Sequence, residues 1–365
     1  MLINEEGFFT PFVNEEHCID CGICVSICSF ENSEVLQDKS FDIKTYAAWS
    51  NNADVRNRCT SGGVGFEIGK SLLKQGYKAL VCRYNPETHH AEHYIASNEE
   101  ELLPSIGSKY IQSDAYPGLA EIKKGQKYFI VGSPCQIDSI RRWIHKRKME
   151  EDVILLDFFC HGVPSYNLWE RYLSEVNAKI GPFEDITWRS KPNGWHDSWV
   201  MEVKNRYQSF FSEGDLFYRM FLGDRCLGKA CYEDCKYKYI HSAADIRIGD
   251  LWGRKYANED LGVNGVVCLT QKGVEILQGL NGILHIEDST LDIVTESQMK
   301  KCAHKPISHN YVMKSLKENK SLSEIDRKAS RLELLEKIPR KIKYYIKRLP
   351  SKMLETIELK SRPQP

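Results

Sequence analysis

The chain has 365 residues, enough for two or three domains with a sizeable core. Its 50 basic and 50 acidic residues balance, so no overall charge favours nucleic acid or an anionic membrane surface. It has no apolar run of about 20 residues that could span a bilayer, and its acidic start, MLINEEGFF, does not resemble a secretory signal. With thirteen cysteines, we expect a cytoplasmic protein whose clustered thiols bind metal or carry out redox chemistry.

A dense cysteine run, CIDCGICVSIC, occupies residues 18–28 with the spacing C-x2-C-x2-C-x3-C. Thiolates this close together wrap an iron–sulfur cubane, and the fourth cysteine of such a run can serve a second cluster. Structural zinc sites instead pair two CxxC knuckles that lie farther apart in sequence. The run therefore predicts a ferredoxin-type [4Fe-4S] segment over residues 1–40, with Cys18, Cys21, Cys24 and Cys28 as ligands.

Residues 44–165 alternate between helix and strand patterns, which favours an α/β layer. SGGVGFEIGKSLLKQGYKALVC predicts a glycine turn, a helix that stops at Gly76, and a strand. KYFIVGSPCQIDSIRRWI and VILLDFFCHGVPSYNLWERYL each predict a buried strand, a tight turn and a helix. Open α/β sheets bind ligands at the carboxyl ends of such strands, so both turns are candidate binding loops.

The remaining chain divides into a mixed region, residues 166–310, and a tail, residues 311–365, of helical propensity. The tail contains the basic stretch KIPRKIKYYIKR, for which we weigh a solvated helix against contact with a partner or an anionic membrane face. Cys82, Cys268 and Cys302 lie in apolar or mixed stretches and are predicted to pack in the core.

A second group of cysteines lies in RCLGKACYEDCKY, as Cys226, Cys231 and Cys235. Three cysteines within ten residues, flanked by charged side chains, favour metal ligation over core packing. In the simplest count these three and Cys28 hold one cluster. The other cluster then uses the first three cysteines of the N-terminal run and one remote cysteine.

Seven motifs, in this order along the chain, resemble the coenzyme F420 hydrogenase/dehydrogenase beta-subunit family, whose relatives include ferredoxin-dependent chlorophyll-pigment reductases. They are CIDCGICVSIC, SGG at 61–63, GSKYIQSD at 107–114, GSPCQI at 132–137, FCHGVPS at 159–165, CLGKACYEDC at 226–235 and ADIRIGDLWG at 244–253. The resemblance implies an α/β flavin-binding domain that carries FAD and is joined to one or more [4Fe-4S] clusters. The family's loop GTPCQ reads GSPCQ here, which keeps a hydroxyl at Ser133, and its late C-x2-C pair is widened to C-x3-C.

The resemblance also implies site residues. Contacts to FAD would come from three loops, through Ser61, Gly62, Gly63, Ser108, Lys109, Gly132, Ser133, Pro134, Cys135 and Gln136. Amides at glycine turns that open helices suit phosphate, and a lysine can pair with its charge. One or both of Cys135 and Cys160 would ligate the cluster served by Cys231 and Cys235. His161 is then either a proton donor to flavin or substrate, or a hydrogen-bonded structural histidine.

Together these features predict an iron–sulfur flavoprotein oxidoreductase that passes electrons between a ferredoxin or other redox protein and a small-molecule substrate. By analogy alone, a sugar or nucleotide-sugar connected with polysaccharide synthesis is a reasonable substrate. The alternative is an electron-transfer subunit that serves a separate catalytic partner and has no substrate of its own. The balanced charge and the lack of an aromatic and basic groove pattern argue against a nucleic-acid ligand.

Overall fold

The computed structural model describes residues 1–233, 235–296, 298–318 and 320–337. Within them the strands are β1 Leu2–Ile3, β2 Phe9–Thr10, β3 Lys44–Ser50, β4 Lys78–Asn85, β5 His90–Ala96, β6 Ser113–Asp114, β7 Tyr128–Val131, β8 Val153–Phe158, β9 Thr187–Trp188, β10 Val200–Val203, β11 Tyr207–Phe210, β12 Ile246–Asp250, β13 Asn264–Cys268 and β14 Leu284–Asp288. The α-helices are α1 Ile23–Ile27, α2 Ala53–Arg58, α3 Val64–Lys74, α4 Glu99–Leu102, α5 Tyr116–Ala120, α6 Pro134–Arg147, α7 Tyr166–Ile180, α8 Leu216–Leu222, α9 Lys229–Tyr232, α10 Gln271–Gln278, α11 Leu291–Val294, α12 His309–Lys317 and α13 Leu322–Lys337. Short 3-10 turns lie at Leu103–Ser105, Glu150–Asp152, Trp195–Asp197 and Arg254–Tyr256.

A mixed nine-stranded sheet forms the centre of the described chain, in the order β14-β3-β13-β12-β8-β7-β4-β5-β6. Strands β12, β8, β7 and β4 run parallel to one another. Strand β13 is antiparallel to both β12 and β3, so β3 runs in the direction of the parallel set. The carboxyl ends of these five strands therefore meet at one edge of the sheet, where the predicted turns follow them.

The central strands are apolar on both faces because helices cover the sheet on both sides. The runs YFIV in β7 and VILLD in β8 are buried almost throughout. Each is followed by a helix whose start is fixed by a serine: Ser133 forms a capping box with Gln136 before α6, and Ser165 caps α7. This confirms the strand, turn and helix order predicted for both stretches.

The region after residue 165 contributes to the same sheet and also builds a separate layer. Strands β12, β13 and β14 complete the nine-stranded sheet, so residues on both sides of position 165 build it. The small sheet β11-β10-β9 lies apart from it. An apolar cluster centred on Trp169, Trp188 and Phe217 joins this small sheet to helices α7, α8, α12 and α13.

The N-terminal segment lies against α6. Strands β1 and β2 form a short antiparallel pair, and α1 contacts α6. The Ser29 amide donates to Ser139 Oγ at 3.0 Å, and the Leu36 amide donates to the Asp138 carboxylate at 2.9 Å. The residues that follow the first cysteine run are thus tied to the helix that begins with the GSPCQ loop.

The described part of the tail is helical, as predicted, through α12 and α13. From residue 338 onward, the basic stretch KIPRKIKYYIKR lies outside the described residues. None of the helices described here combines the length and the apolar character that crossing a membrane requires.

Candidate redox site

The turn after β8 pairs with the second cysteine segment. Pro164 and Leu227 form an isolated antiparallel bridge. On either side of it, the Ser165 amide donates to the Cys226 carbonyl at 2.9 Å, and the Gly228 amide donates to the Val163 carbonyl at 3.1 Å. This pairing brings the chain carrying Cys231 and Cys235 back to the carboxyl edge of the sheet, where the turns after β7 and β8 lie.

Four cysteines converge there: Cys135 in the first turn of α6, Cys160 just after β8, and Cys231 and Cys235 on the returning segment. All four are half-buried. Burial is the main cause that raises the pKa of the Cys160 thiol, and the charges of the other three cysteines raise it further. Burial likewise raises the pKa of Cys231 to about 11, with added contributions from Cys135 and Cys235. The four thiols are therefore close enough to influence one another, and a Cβ on Gly162, two residues after Cys160, would lie 3.5 Å from Cys231 Sγ.

The donor set of this group fits an iron–sulfur cubane better than a single ion. In the described part of the chain, no three His, Cys, Asp or Glu side chains are close enough to hold one metal ion. A cubane binds each thiolate through a different iron, so its ligands stand farther apart than those of one ion. The buried Lys238 adds a positive charge beside the group, since its ammonium donates to the carbonyls of Cys160 at 2.7 Å and His161 at 2.9 Å.

The structure does not bring Cys226 into this group. Its side chain is fully buried in the apolar cluster around Trp169, and burial raises the pKa of its thiol to about 12. The nearby charge that acts on it is Arg225 rather than another cysteine. That Cys226 ligates a cluster stays a prediction. The simplest count grouped Cys226 with Cys231 and Cys235, whereas in the structure Cys135 lies near these two cysteines.

The first cysteine run forms an open loop around α1. Cys18, Cys21 and Cys24 are exposed and Cys28 is half-buried. Gly22, with φ of +67°, makes the left-handed turn directly before α1. The ligands of a cluster at this place would therefore come from a surface loop. Four thiols separated by such short gaps in sequence are a donor set that fits an iron–sulfur cluster.

Two side chains connect the two cysteine groups. Tyr237, two residues after Cys235, donates its hydroxyl to Asp138 at 2.8 Å and lies 3.4 Å from the Ser29 carbonyl. The Lys236 ammonium donates to the Asn32 carbonyl. Burial lowers the pKa of Lys236, and the charge of Cys28 acts on it in the opposite direction. The chain after Cys235 therefore lies directly against the chain after Cys28, which makes the two groups neighbours.

The loops predicted to hold FAD lie at the same edge of the sheet and are joined to one another. The Ser108 amide donates to Thr60 Oγ1 at 2.9 Å, and the two hydroxyl groups lie 3.0 Å apart. The Gln136 side-chain amide donates to the Ser113 carbonyl at 3.2 Å and lies 3.1 Å from its hydroxyl. The stretch from 107 to 114 thus bridges the SGG loop and the GSPCQ loop.

Within the SGG loop, the structure uses each residue for close packing. Ser61 is buried and donates its hydroxyl to the Val263 carbonyl at 2.7 Å. A Cβ on Gly62 would lie 2.7 Å from the Ala48 carbonyl oxygen, so no larger residue fits. Gly63, with φ of +81°, precedes α3 and has no capping side chain. The first amide of the helix, at Val64, donates to Asn264 Oδ1 at 3.2 Å, so an anion such as phosphate would be met by the next amides only.

Lys109 is engaged within its own loop. Its ammonium lies 2.9–3.1 Å from the carbonyl oxygens of Pro104, Ser105, Ile106 and Gly107, which share its three N–H groups. Burial lowers the pKa of Lys109 to about 8. In the third loop, the hydroxyl of Ser133 donates to Gln136 Oε1 at 2.9 Å. Gly132 follows β7, and Pro134 occupies the first turn of α6. Contacts from these residues to FAD stay predictions.

His161 lies beside an acidic partner. Its Nε2 is 2.7 Å from Asp224 Oδ1, and its ring meets the Phe221 ring edge-on at 4.9 Å. Although the two atoms are close, neither has a hydrogen bond of acceptable geometry, so the structural interpretation and the proton-donor role of His161 both stay predictions. Cys268 is buried as predicted, whereas the prediction for Cys302 is wrong, because its thiol is exposed and contacts the Cys235 carbonyl at 3.0 Å.

An arginine network at the same edge of the sheet was not anticipated from the sequence. Arg189 is buried and donates to the Tyr110 hydroxyl and to the Asp250 carboxylate, both at 2.9 Å. It also stacks over the Trp199 ring at 4.5 Å. The motifs GSKY and GDLWG supply two of these partners, but Arg189 itself lies outside every motif, so local sequence carried no signal for it.

The chain is thus a mixed α/β protein, with Cys135 and Cys160 in the turns that follow β7 and β8. The family models for the coenzyme F420 hydrogenase/dehydrogenase beta subunit match residues 45–118 (N-terminal part) and 125–291 (C-terminal part). The chain belongs to this family, as the motifs predicted.

The solved structures add a match at the level of fold. A chain of the xenon-derivatised F420-reducing [NiFe] hydrogenase complex from Methanosarcina barkeri is similar, with a TM-score of 0.50 and 16% identity. The similarity covers 82% of this chain and 94% of that chain. At this identity the match supports the fold alone. A comparison with curated protein sequences gives no match.

Proposed function

We propose that this chain is an iron–sulfur flavoprotein oxidoreductase of the cytoplasm, with two [4Fe-4S] clusters and one FAD. The observation that carries the proposal is the convergence of Cys135, Cys160, Cys231 and Cys235 at the edge where the three motif loops meet. The N-terminal cysteine run would hold the second cluster, close to this group on its outer side.

Each group has a distinct part in this proposal. When bound, FAD supplies two-electron exchange with a small molecule and one-electron exchange with iron–sulfur clusters. The chain's own residues would hold and orient these groups. The α3 amides that follow Val64 would face a phosphate. Arg189, which donates to Tyr110 and Asp250 and lies over the Trp199 ring, would hold these aromatic side chains at the edge of the sheet. Tyr237 and Asp138 keep the two cysteine groups at a fixed separation.

Cofactor content tests the proposal directly. We expect anaerobically reconstituted protein to contain about eight irons, with matching sulfide, and one FAD per chain. Reduction should then produce paramagnetic signals from two coupled clusters. Protein that contains iron but no flavin would contradict the proposed two-electron exchange through FAD. Protein that contains neither cofactor would contradict the whole proposal.

A second candidate function is an electron-transfer subunit without a substrate of its own. The similarity to a chain from a hydrogenase complex favours it, since that protein works within an assembly. A screen of small hydride donors, nucleotide sugars among them, separates the two. Turnover by the purified loaded chain supports the enzyme, and its absence together with fast exchange between chain and redox protein supports the subunit.

A further inference from the structure

We propose that the surface around the first cysteine run is a docking face for a basic redox protein, one whose cofactor edge is ringed by lysine and arginine. This rests on the proposed function, because it takes the run to hold a cluster. It goes further by naming the chemistry of the partner. We call the surface formed by residues 12–31 the N-terminal face.

The charge of this segment is strongly one-sided. Residues 1–40 contain eight acidic residues and one lysine, although the whole chain is neutral. Glu5 and Glu34 have ion-pair partners, Lys317 at 3.6 Å and Lys39 at 3.9 Å. On the N-terminal face itself, four exposed carboxylates have no cationic side chain within ion-pair distance among the described residues: Glu15, Glu16, Asp20 and Glu31. Their negative charge is therefore uncompensated where a partner would approach.

Apolar side chains stand among these carboxylates. Ile19 and Val25, between the cysteines, are 84% and 57% exposed, and Ile23 is 50% exposed. Phe12 and Phe30 flank the run and are also exposed. Exposed apolar side chains with a charged surround are typical of a protein-binding surface, where the apolar part is covered and the charges remain at the rim.

The position of the cysteines makes this surface useful for electron exchange. Cys18, Cys21 and Cys24 are exposed on it, so a docked partner would lie next to the cluster they hold. The half-buried cysteine group lies behind the face, on the other side of Tyr237 and Asp138. Electrons would therefore enter or leave the chain through the N-terminal face.

The sign of the charge selects the partner. An acidic face repels an anionic membrane and a typical acidic ferredoxin, and it attracts a partner with a basic rim. Complementary charge raises association rates by roughly 10- to 1,000-fold at low ionic strength. The predicted ferredoxin-type segment would thus supply the negatively charged surface, and its partner the positively charged one.

Cytochrome c, a haem protein with a ring of lysines at its exposed haem edge, is the probe. Reduced, reconstituted protein is mixed with oxidised cytochrome c, and the second-order rate constant is measured from low salt to about 0.5 M, where charges beyond about 5 Å are screened. We expect a rate that falls steeply with salt. An acidic plant-type ferredoxin, tested as acceptor or donor, should react slowly at low salt and faster as salt increases.

Two variants with the same change in net charge locate the effect. Combining Glu15→Gln, Glu16→Gln, Asp20→Asn and Glu31→Gln should lower the low-salt rate at least about tenfold and flatten its salt dependence. The matched control removes four exposed carboxylates on other elements: Glu100→Gln, Glu121→Gln, Glu151→Gln and Glu213→Gln. The proposal would be overturned if both variants showed the same salt dependence. It would also be overturned if, at low salt, the parent protein reacted faster with the ferredoxin than with cytochrome c.

A binding readout separates this proposal from the function it rests on. Reconstituted protein and metal-free protein are each titrated with oxidised cytochrome c by calorimetry, and carbodiimide crosslinks are mapped by mass spectrometry. We expect crosslinks from cytochrome lysines to Glu15, Glu16 or Glu31, and weaker binding by the first variant only. Crosslinks confined to other surfaces overturn the docking face even if both clusters are present. Protein that never takes up iron, by contrast, overturns the proposed function.

Discussion

Arg247 and Asp157 form a bidentate ion pair in the middle of the sheet, with both nitrogen-to-oxygen distances at 2.7 Å and neither side chain exposed. The third guanidinium nitrogen of Arg247 donates to the carbonyls of Tyr237 at 3.0 Å and Tyr239 at 2.8 Å. The pair therefore fixes the segment that follows Cys235 to strands β8 and β12.

Removing one member of this pair should be costly. Arg247→Met leaves the Asp157 carboxylate buried without its partner, so we expect a loss of about 3–5 kcal/mol in the free energy of unfolding. The double variant Asp157→Leu with Arg247→Met should recover part of this loss. Arg83→Met is the control, since Arg83 pairs with Glu92 at 2.8 Å on the surface and should cost only about 0–1 kcal/mol. Denaturant unfolding of metal-free protein measures the free energy of unfolding of all three variants. Equal losses in Arg247→Met and Arg83→Met would show that the buried pair stabilises the fold no more than a surface pair.

Gly162 sets the position of Cys231. Its φ is +149°, and a Cβ there would lie 3.0 Å from Leu227 Cδ1 and 3.5 Å from Cys231 Sγ. Gly162→Ala should displace the Cys231 thiol and reduce iron from about eight to about four per chain. Gly125→Ala is the matched control, because Gly125 also has a positive φ, +83°, but nothing within 4 Å. Iron analysis with absorption spectra reads the result, and full iron content in Gly162→Ala would contradict the assignment of Cys231.

Cysteine substitutions distinguish the two ligand counts. We expect Cys135→Ser to lose the half-buried cluster and retain about four irons, because the Cys135 thiol lies close enough to Cys160, Cys231 and Cys235 to interact with each electrostatically. Cys226→Ser should retain about eight irons and lose only stability, since that thiol is fully buried among apolar side chains. The reverse pattern in iron content and paramagnetic spectra would restore the count that includes Cys226.

Much of the sheet could be predicted because its signals are local. The apolar runs that became β7 and β8, and the serine and proline residues that start α6, lie within a few residues of one another. The carboxyl ends of those strands then indicated the edge where ligands bind. Family membership was also predicted from motif order, and the family models confirm it.

Which cysteines form the half-buried group could not be predicted from local sequence. Whether Cys226 or Cys135 faces Cys231 depends on the pairing of Ser165 with Cys226, two segments distant in sequence. The contact of Tyr237 with Asp138 joins residues 99 positions apart. Such contacts follow from how the whole sheet is assembled, so spacing alone left the two counts open.

Stability at high pH should depend on Cys59, a buried thiol below the SGG loop whose pKa burial raises to about 11. An unfolded thiol ionises near pH 8.5, so between about 8.5 and 11 the unfolded chain releases a proton that the folded chain keeps. The stabilisation is therefore complete below about pH 8.5 and is lost as the pH rises toward 11. We expect Cys59→Ala to be less stable than the parent protein at pH 7.5, with a difference that shrinks by about 2 kcal/mol by pH 10.5. Melting temperatures of both metal-free proteins across this range give the comparison.

Cys268→Ala is a parallel case, because burial raises the pKa of the Cys268 thiol to about 12. Its stability difference from the parent protein should also shrink as the pH rises. A difference between parent and variant that stays constant with pH would mean that Cys59 is as ionised in the folded chain as in the unfolded one.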